Sequence, residues 1–137
     1  MENRIIGRVV EIAAPVEKVW SVFTDPNITR RMGGYYDTTW EVGSSFGFNK
    51  VDGMSLTNGV LLALESQRLI KHSLFLPNSD EIMATISYHF ETKDRFTLLK
   101  GEEVLVEPLD KEDFDDACAG WESALNQVRE IAESDIS

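Results

Sequence analysis

Residues 110–134 read DKEDFDDACAGWESALNQVREIAES, and this stretch decides the fold of the chain. Asp110 is a good helix N-cap, and Glu112 and Asp113 suit the positive end of a helix dipole. The apolar residues that follow recur every three or four positions, at Phe114, Ala117, Cys118, Trp121, Ala124, Leu125, Val128, Ile131 and Ala132. This spacing predicts one amphipathic helix over 112–134. At 1.5 Å per residue the helix would be about 34 Å long, enough to cross a whole sheet.

The sequence before this helix predicts one strand, two short helices and then a series of antiparallel strands. Ile5–Ile12 is rich in β-branched residues, which favour a strand. Val16–Phe23 has apolar residues at helical spacing directly after Pro15, and 26–32 can form a second helical turn. In the clearest of the later strands, 82–90, apolar residues alternate with mostly polar ones, so one face should be buried. The chain is therefore predicted to be an α+β domain in which an antiparallel sheet packs on the long helix.

The composition fits a single domain over residues 1–137 without an internal disulfide. Hydrophobic residues make up 42% of the chain, so a core is available. The 24 acidic residues outnumber the 13 basic ones, and a net charge of -11 argues against binding to nucleic acid or to anionic membranes. Cys118 is the single cysteine, and no apolar run is long enough for a signal peptide or a membrane span. We therefore expect a cytoplasmic protein.

Several short motifs, taken in order along the chain, resemble the START-like ligand-binding superfamily (SRPBCC). They are Ala14–Trp20 (APVEKVW), Asp25-Pro26, Gly59-Val60-Leu61, and Gly120-Trp121-Glu122 followed by Leu125. Within this superfamily the chain looks most like the branch named for the activator of the ninety-kilodalton heat-shock chaperone's ATPase. The resemblance implies a helix-grip fold, in which a curved antiparallel sheet wraps around the long C-terminal helix. It also implies an apolar cavity between sheet and helix, and such a cavity is a place for a ligand.

The residues that we expect to line this cavity come from the strands and from the last helix: Trp40, His72, Tyr88, Lys100, Glu102, Cys118, Trp121 and Leu125. His72 has the same alternation as Ile70 and Leu74, so its side chain should face inward. In that position it could orient a polar ligand, or it could be an ordinary core histidine held by a neighbour.

The two charged candidates, Lys100 and Glu102, have the same alternation as Leu98 and Val104. In that register both charges would point into the cavity, where they would have to pair with each other or with a ligand. A bulge at Gly101 would instead turn them outward. The sequence leaves these two alternatives open.

Two features resemble a catalytic site or a metal site, but neither is supported by its surroundings. Residues 43–47, GSSFG, match the Gly-x-Ser-x-Gly pattern of hydrolases, yet a strand rather than a helix is predicted to follow. Ser45 is therefore not expected to be a nucleophile. His72 and His89 have opposite alternation, so they cannot share a metal ion. We predict no catalytic residue, no metal and no cofactor.

We expect the domain to bind a small hydrophobic or amphipathic molecule, lipid-like or polycyclic, as a carrier or a sensor. The first alternative is an enzyme of the polyketide cyclase type, which is suggested by relatives that share the fold. The second alternative is a protein-interaction module that acts with a chaperone. Either a monomer or a homodimer is expected.

Overall fold

The elements follow the predicted order of one strand, short helices, a run of strands and a long C-terminal helix. The computed structural model describes residues 3–134. The helices are α1 (Val16–Thr24), α2 (Pro26–Thr29) and α3 (Lys111–Glu133), with a 3₁₀ turn at Arg30–Met32. The strands are β1 (Ile5–Ile12), β2 (Gly34–Thr38), β3 (Phe46–Lys50), β4 (Ser55–Thr57), β5 (Leu61–Glu65), β6 (Leu69–Phe75), β7 (Ile82–Thr92) and β8 (Thr97–Leu105). Within the described residues, none of the helices is long and apolar enough to cross a membrane.

The strands form two antiparallel sheets that meet at one edge. The larger sheet has the order β1-β8-β7-β6-β5, and the smaller one has the order β2-β3-β4. A bridge between Ser45 and Val60 joins them, and the Phe46 N–H donates to the Gly59 carbonyl at 2.9 Å beside it. The join makes one curved surface, which agrees with the helix-grip architecture that the family resemblance implies.

Helix α3 lies against this surface with the apolar face that its sequence predicts. Its bounds differ from the predicted 112–134 by one residue at each end. The Asp110 carboxylate accepts a hydrogen bond from the Asp113 backbone N–H at 2.8 Å, so the expected N-cap is present. The buried residues of the helix are Cys118, Trp121, Leu125, Val128, Ile131 and Ala132. They pack toward β1 and α1, so the core lies between the helices and the larger sheet.

The register of β8 decides between the two orientations of Lys100 and Glu102 that the sequence leaves open. The residues that face α3 are Thr97, Leu99, Gly101, Glu103 and Leu105. Lys100 is exposed and Glu102 lies on the same outer face of the sheet, so the inward alternative is wrong and neither of these two candidates lines the cavity. The pairing of β8 with β1 and β7 continues unbroken through Gly101, so their outward orientation requires no bulge.

The physical reason for this register is a contact between the strand and the helix. Apolar side chains occur on both faces of β8, and Val104 is 39% exposed, so alternation alone cannot identify the inner face. The ring of Trp121 lies so close to Gly101 that a Cβ on this residue would overlap the indole. Only glycine fits at the crossing, and the neighbouring side chains are therefore fixed on the opposite face.

Candidate functional site

A row of four rings, which we call the aromatic row, runs through the interior from β3 to α3. The ring of Phe46 stacks on His72 with centroids 4.3 Å apart, and His72 stacks on Tyr88 at 6.4 Å. Tyr88 in turn contacts Trp121, with centroids 5.6 Å apart and ring planes tilted by 46°. Because each ring comes from a different element, the row ties the sheet to the helix.

Trp40 and Tyr36 contact the β3 end of the aromatic row. The ring of Tyr36 lies 5.2 Å from Phe46, and the ring of Trp40 meets Phe46 edge-on at 5.6 Å. Trp40 has a φ of 64°, in the left-handed region that costs a residue with a side chain about 1–2 kcal/mol. The contacts of its half-buried ring with Tyr36 and Phe46 offset that cost.

His72 faces inward, as its alternation predicts, and is only 5% exposed. Its Nδ1 lies 2.9 Å from the Ser73 carbonyl oxygen, so Nδ1 carries the proton and donates it in this hydrogen bond. Burial lowers the pKa of His72 from 6.5 to about 4, although the bond to Ser73 acts in the opposite direction. The ring is therefore neutral at physiological pH and behaves as a polar member of the aromatic row.

Two tyrosine hydroxyls meet in the same interior and remain protonated. Burial raises the pKa of Tyr88 to about 12, with the nearby charge of Glu103 adding to the shift and the Tyr36 hydroxyl opposing it. Burial and the neighbouring Tyr88 raise the pKa of Tyr36 well above its ordinary value. Both phenols are therefore uncharged and can act as hydrogen-bond donors at neutral pH.

Glu103, which is not among the predicted cavity residues, contacts the aromatic row at Trp121. Its Oε1 accepts a hydrogen bond from the Trp121 indole Nε1 at 2.8 Å, across the space between β8 and α3. The carboxylate is half-buried on the inner face of the strand. Gly101, two positions earlier on that face, is the one sequence signal that could have identified it, because a glycine opposite a helix tryptophan indicates close packing.

An open recess of about 210 Å³ lies between α3 and the sheet at the Trp121 end of the aromatic row. Its lining residues are Tyr88, Glu103, Ala117, Gly120, Trp121 and Ala124. The three residues with small side chains lie along one side of α3 and leave room for the recess. It combines two aromatic walls with one carboxylate, so we take it as the candidate binding site.

The structure brings some of the predicted cavity residues together and separates others. Tyr88 and Trp121 line the recess directly, and His72 lies behind Tyr88 in the aromatic row. Cys118 and Leu125 are buried in the apolar face of α3, at 9% and 3% exposure. Trp40 lies at the opposite end of the row, and Lys100 and Glu102 lie on the outer face of the sheet.

The motif that resembles a hydrolase site is part of a strand connection. Ser45 is exposed, pairs with Val60 and leads into β3. No strand-to-helix turn presents its hydroxyl, which agrees with the interpretation made from the sequence. In the part of the chain that the structure describes, no group of three histidine, cysteine, aspartate or glutamate side chains could hold a metal ion.

Comparison with known proteins identifies one family. The family described as activator of Hsp90 ATPase homolog 1-like protein matches residues 13–133, which includes every element from α1 to α3. None of the curated proteins matches the chain.

Three solved structures illustrate the folds to which this chain is similar. CalU16 from Micromonospora echinospora is 22% identical with a TM-score of 0.74, over 93% of this chain and 75% of that one. The Aha1 dimer from Colwellia psychrerythraea is 16% identical with a TM-score of 0.75, over 94% and 96%. DynU16, from the dynemicin biosynthetic locus, is 16% identical with a TM-score of 0.82, over 96% of this chain and 48% of that one. The chain thus spans about half of DynU16, and these likenesses show the shared fold.

Proposed function

The chain belongs to the family of activator of Hsp90 ATPase homolog 1-like proteins, and we propose that it binds a small hydrophobic or amphipathic molecule as a carrier or sensor. The observation that carries the proposal is the recess between Tyr88 and Trp121. Removing aromatic walls from water favours binding of an apolar group without any specific partner. The small side chains of Ala117 and Ala124 keep that wall open to a ligand.

The size of the recess limits what can enter it. Its volume of about 210 Å³ is smaller than the roughly 300–1,000 Å³ of typical small-molecule pockets. One ring or a short aliphatic chain fits the available space. A polycyclic ligand requires Trp121 to move away from Tyr88, because these two rings form the inner wall.

Filling the recess tests the proposal. Ala124 lies on its rim, whereas Ala119 is exposed on the opposite side of α3. Ala124→Trp should lower affinity for short-chain fatty alcohols and for single-ring aromatics at least about tenfold in calorimetric titrations. Ala119→Trp is the matched control and should leave affinity unchanged. Equal affinity of the two variants would place binding elsewhere and contradict the proposal.

Native mass spectrometry of the freshly purified protein provides an independent measurement. A retained small molecule that is present with the parent protein and lost with Ala124→Trp supports a carrier role. The same spectra report whether the chain is a monomer or a homodimer, a question raised by the dimer from Colwellia psychrerythraea.

A further inference from the structure

The carboxylate of Glu103 has one oxygen, Oε2, that is left for a ligand in the recess. Oε1 is engaged by the Trp121 indole at 2.8 Å. Among residues 3–134, no hydrogen bond to Oε2 is formed, and the carboxylate is part of the recess wall. A half-buried carboxylate in this position presents an acceptor and a negative charge to whatever occupies the recess.

The neighbouring arginines are held by other groups. Arg8, whose strand partner is Gly101, has its Nε 3.5 Å from the Glu122 carboxylate. Arg4 donates its Nε–H to the Leu105 carbonyl oxygen at 3.3 Å. The ion pairs within the described residues use the carboxylates of Glu91, Asp115 and Glu122, so the charge of Glu103 is not matched by any of them.

The aromatic rings of Tyr88 and Trp121, which line the recess beside Glu103, can attract a cation. The Tyr88 and Trp121 rings lie 5.6 Å apart at a tilt of 46°, and both line the recess. A cation near the face of such rings is attracted by their quadrupoles, most strongly for tryptophan. Ala117, Gly120 and Ala124 on the helix side leave space for an aliphatic chain that continues outward.

We propose that the recess binds an organic ammonium group, with Glu103 as its counter-ion and Tyr88 and Trp121 as its aromatic walls. The inference rests on the proposed function and specifies its ligand class as amines with an apolar chain or ring. An anionic ligand such as a fatty acid is disfavoured, because its carboxylate would lie beside that of Glu103. The net charge of -11 acts in the same direction for the whole surface.

Three probes with the same chain separate charge from hydrophobicity. Octylamine, octanol and octanoate should be titrated calorimetrically at pH 7 and low salt. Octylamine should bind at least about tenfold more tightly than octanol, because it adds a charge-assisted contact to the same apolar burial. Octanoate should bind more weakly than octanol.

The variant Glu103→Gln identifies the counter-ion. Glutamine keeps an oxygen acceptor for the Trp121 indole, so the fold should be retained, and octanol, which has no charge, should lose much less affinity than octylamine. Octylamine affinity should fall to that of octanol. Glu102→Gln is the matched control, because it removes the same charge from the adjacent residue on the outer face, and it should leave octylamine affinity within about twofold of the parent.

The outcomes distinguish this inference from the proposed function. Equal affinities for the three probes, or an unchanged affinity in Glu103→Gln, would overturn the ammonium site and leave the proposed function intact. A loss in Glu102→Gln as large as in Glu103→Gln would also overturn it, because the effect would then belong to the overall charge. No binding of any probe to the parent protein would contradict the proposed function itself.

Discussion

Trp121 lies over Gly101, and the helix can approach the sheet at this point only because Gly101 has no side chain. The same tryptophan donates its indole N–H to Glu103, two residues further along β8. The crossing of α3 over the sheet and the position of the recess carboxylate are therefore fixed by one side chain.

A methyl group at the crossing should destabilise the protein. Gly101→Ala places a Cβ against the Trp121 ring, and the overpacking should lower the free energy of unfolding by about 1–3 kcal/mol in urea titrations. Gly7→Ala is the control in the adjacent strand, because no atom lies within 4 Å of its added Cβ. Equal stability of the two variants would show that the ring does not constrain the crossing.

Removal of the indole donor should lower the free energy of unfolding by less than the overpacking in Gly101→Ala. It should lower it by more than a tryptophan-to-phenylalanine change at a site without such a hydrogen bond. Trp121→Phe keeps a ring against Tyr88 and deletes the hydrogen bond to Glu103, so the free energy of unfolding should fall by about 1–2 kcal/mol. Trp20→Phe is the comparison, because Trp20 packs edge-on against Phe90 through its ring. The difference should disappear in a Glu103→Leu background; if it persists, the bond is not its source.

The stability of the protein should decrease in mild acid because of His72. Its pKa is lowered from 6.5 to about 4 in the folded state, so the unfolded chain binds a proton first as the pH falls. The contribution of this residue is complete above pH 6.5 and decreases by about 3 kcal/mol as the pH falls to about 4. His72→Gln should reduce the slope of unfolding free energy against pH in that window. His89→Gln, at an exposed position, should leave the slope as it is, and a slope that is lost in both variants would contradict the assignment.

Two residues with positive φ should respond to glycine in opposite directions. Gln67 has a φ of 62° in the turn before β6, and Gln67→Gly should stabilise the protein by up to about 1 kcal/mol by relieving strain. Trp40→Gly removes the same strain but loses the ring contacts with Tyr36 and Phe46, so a net loss of about 1–2 kcal/mol is expected. Thermal melts of the two variants should therefore shift in opposite directions. A stabilised Trp40→Gly would mean that the ring contacts contribute little.

Local patterns predicted most of the fold. Helical spacing located α3 to within one residue at each end, and alternation placed Ala84, Ile86 and Phe90 of β7 in the core. The inward orientation of His72 was predicted from its alternation with Ile70 and Leu74, and its side chain is 5% exposed.

The candidate site was less predictable, since it depends on contacts between residues far apart in the chain. Apolar residues on both faces of β8 made its alternation ambiguous, and the contact of Gly101 with a helix twenty residues later resolves it. Glu103 was therefore missed, whereas Lys100 and Glu102 were chosen in its place. The stacking of His72 on Tyr88 likewise depends on the pairing of β6 with β7, which no local pattern specifies.

The two ends of the aromatic row are held in different ways. Phe46, His72 and Tyr88 are anchored on strands whose backbone ladders hold them on both sides. Trp121 is instead carried by a helix, next to an exposed Gly120 and held at its edge by a single carboxylate. We therefore expect the strand end of the row to be more rigid than the Trp121 end. Under the proposed function, a ligand larger than the recess could enter only if the Trp121 indole moved, and such a movement would break its hydrogen bond to Glu103.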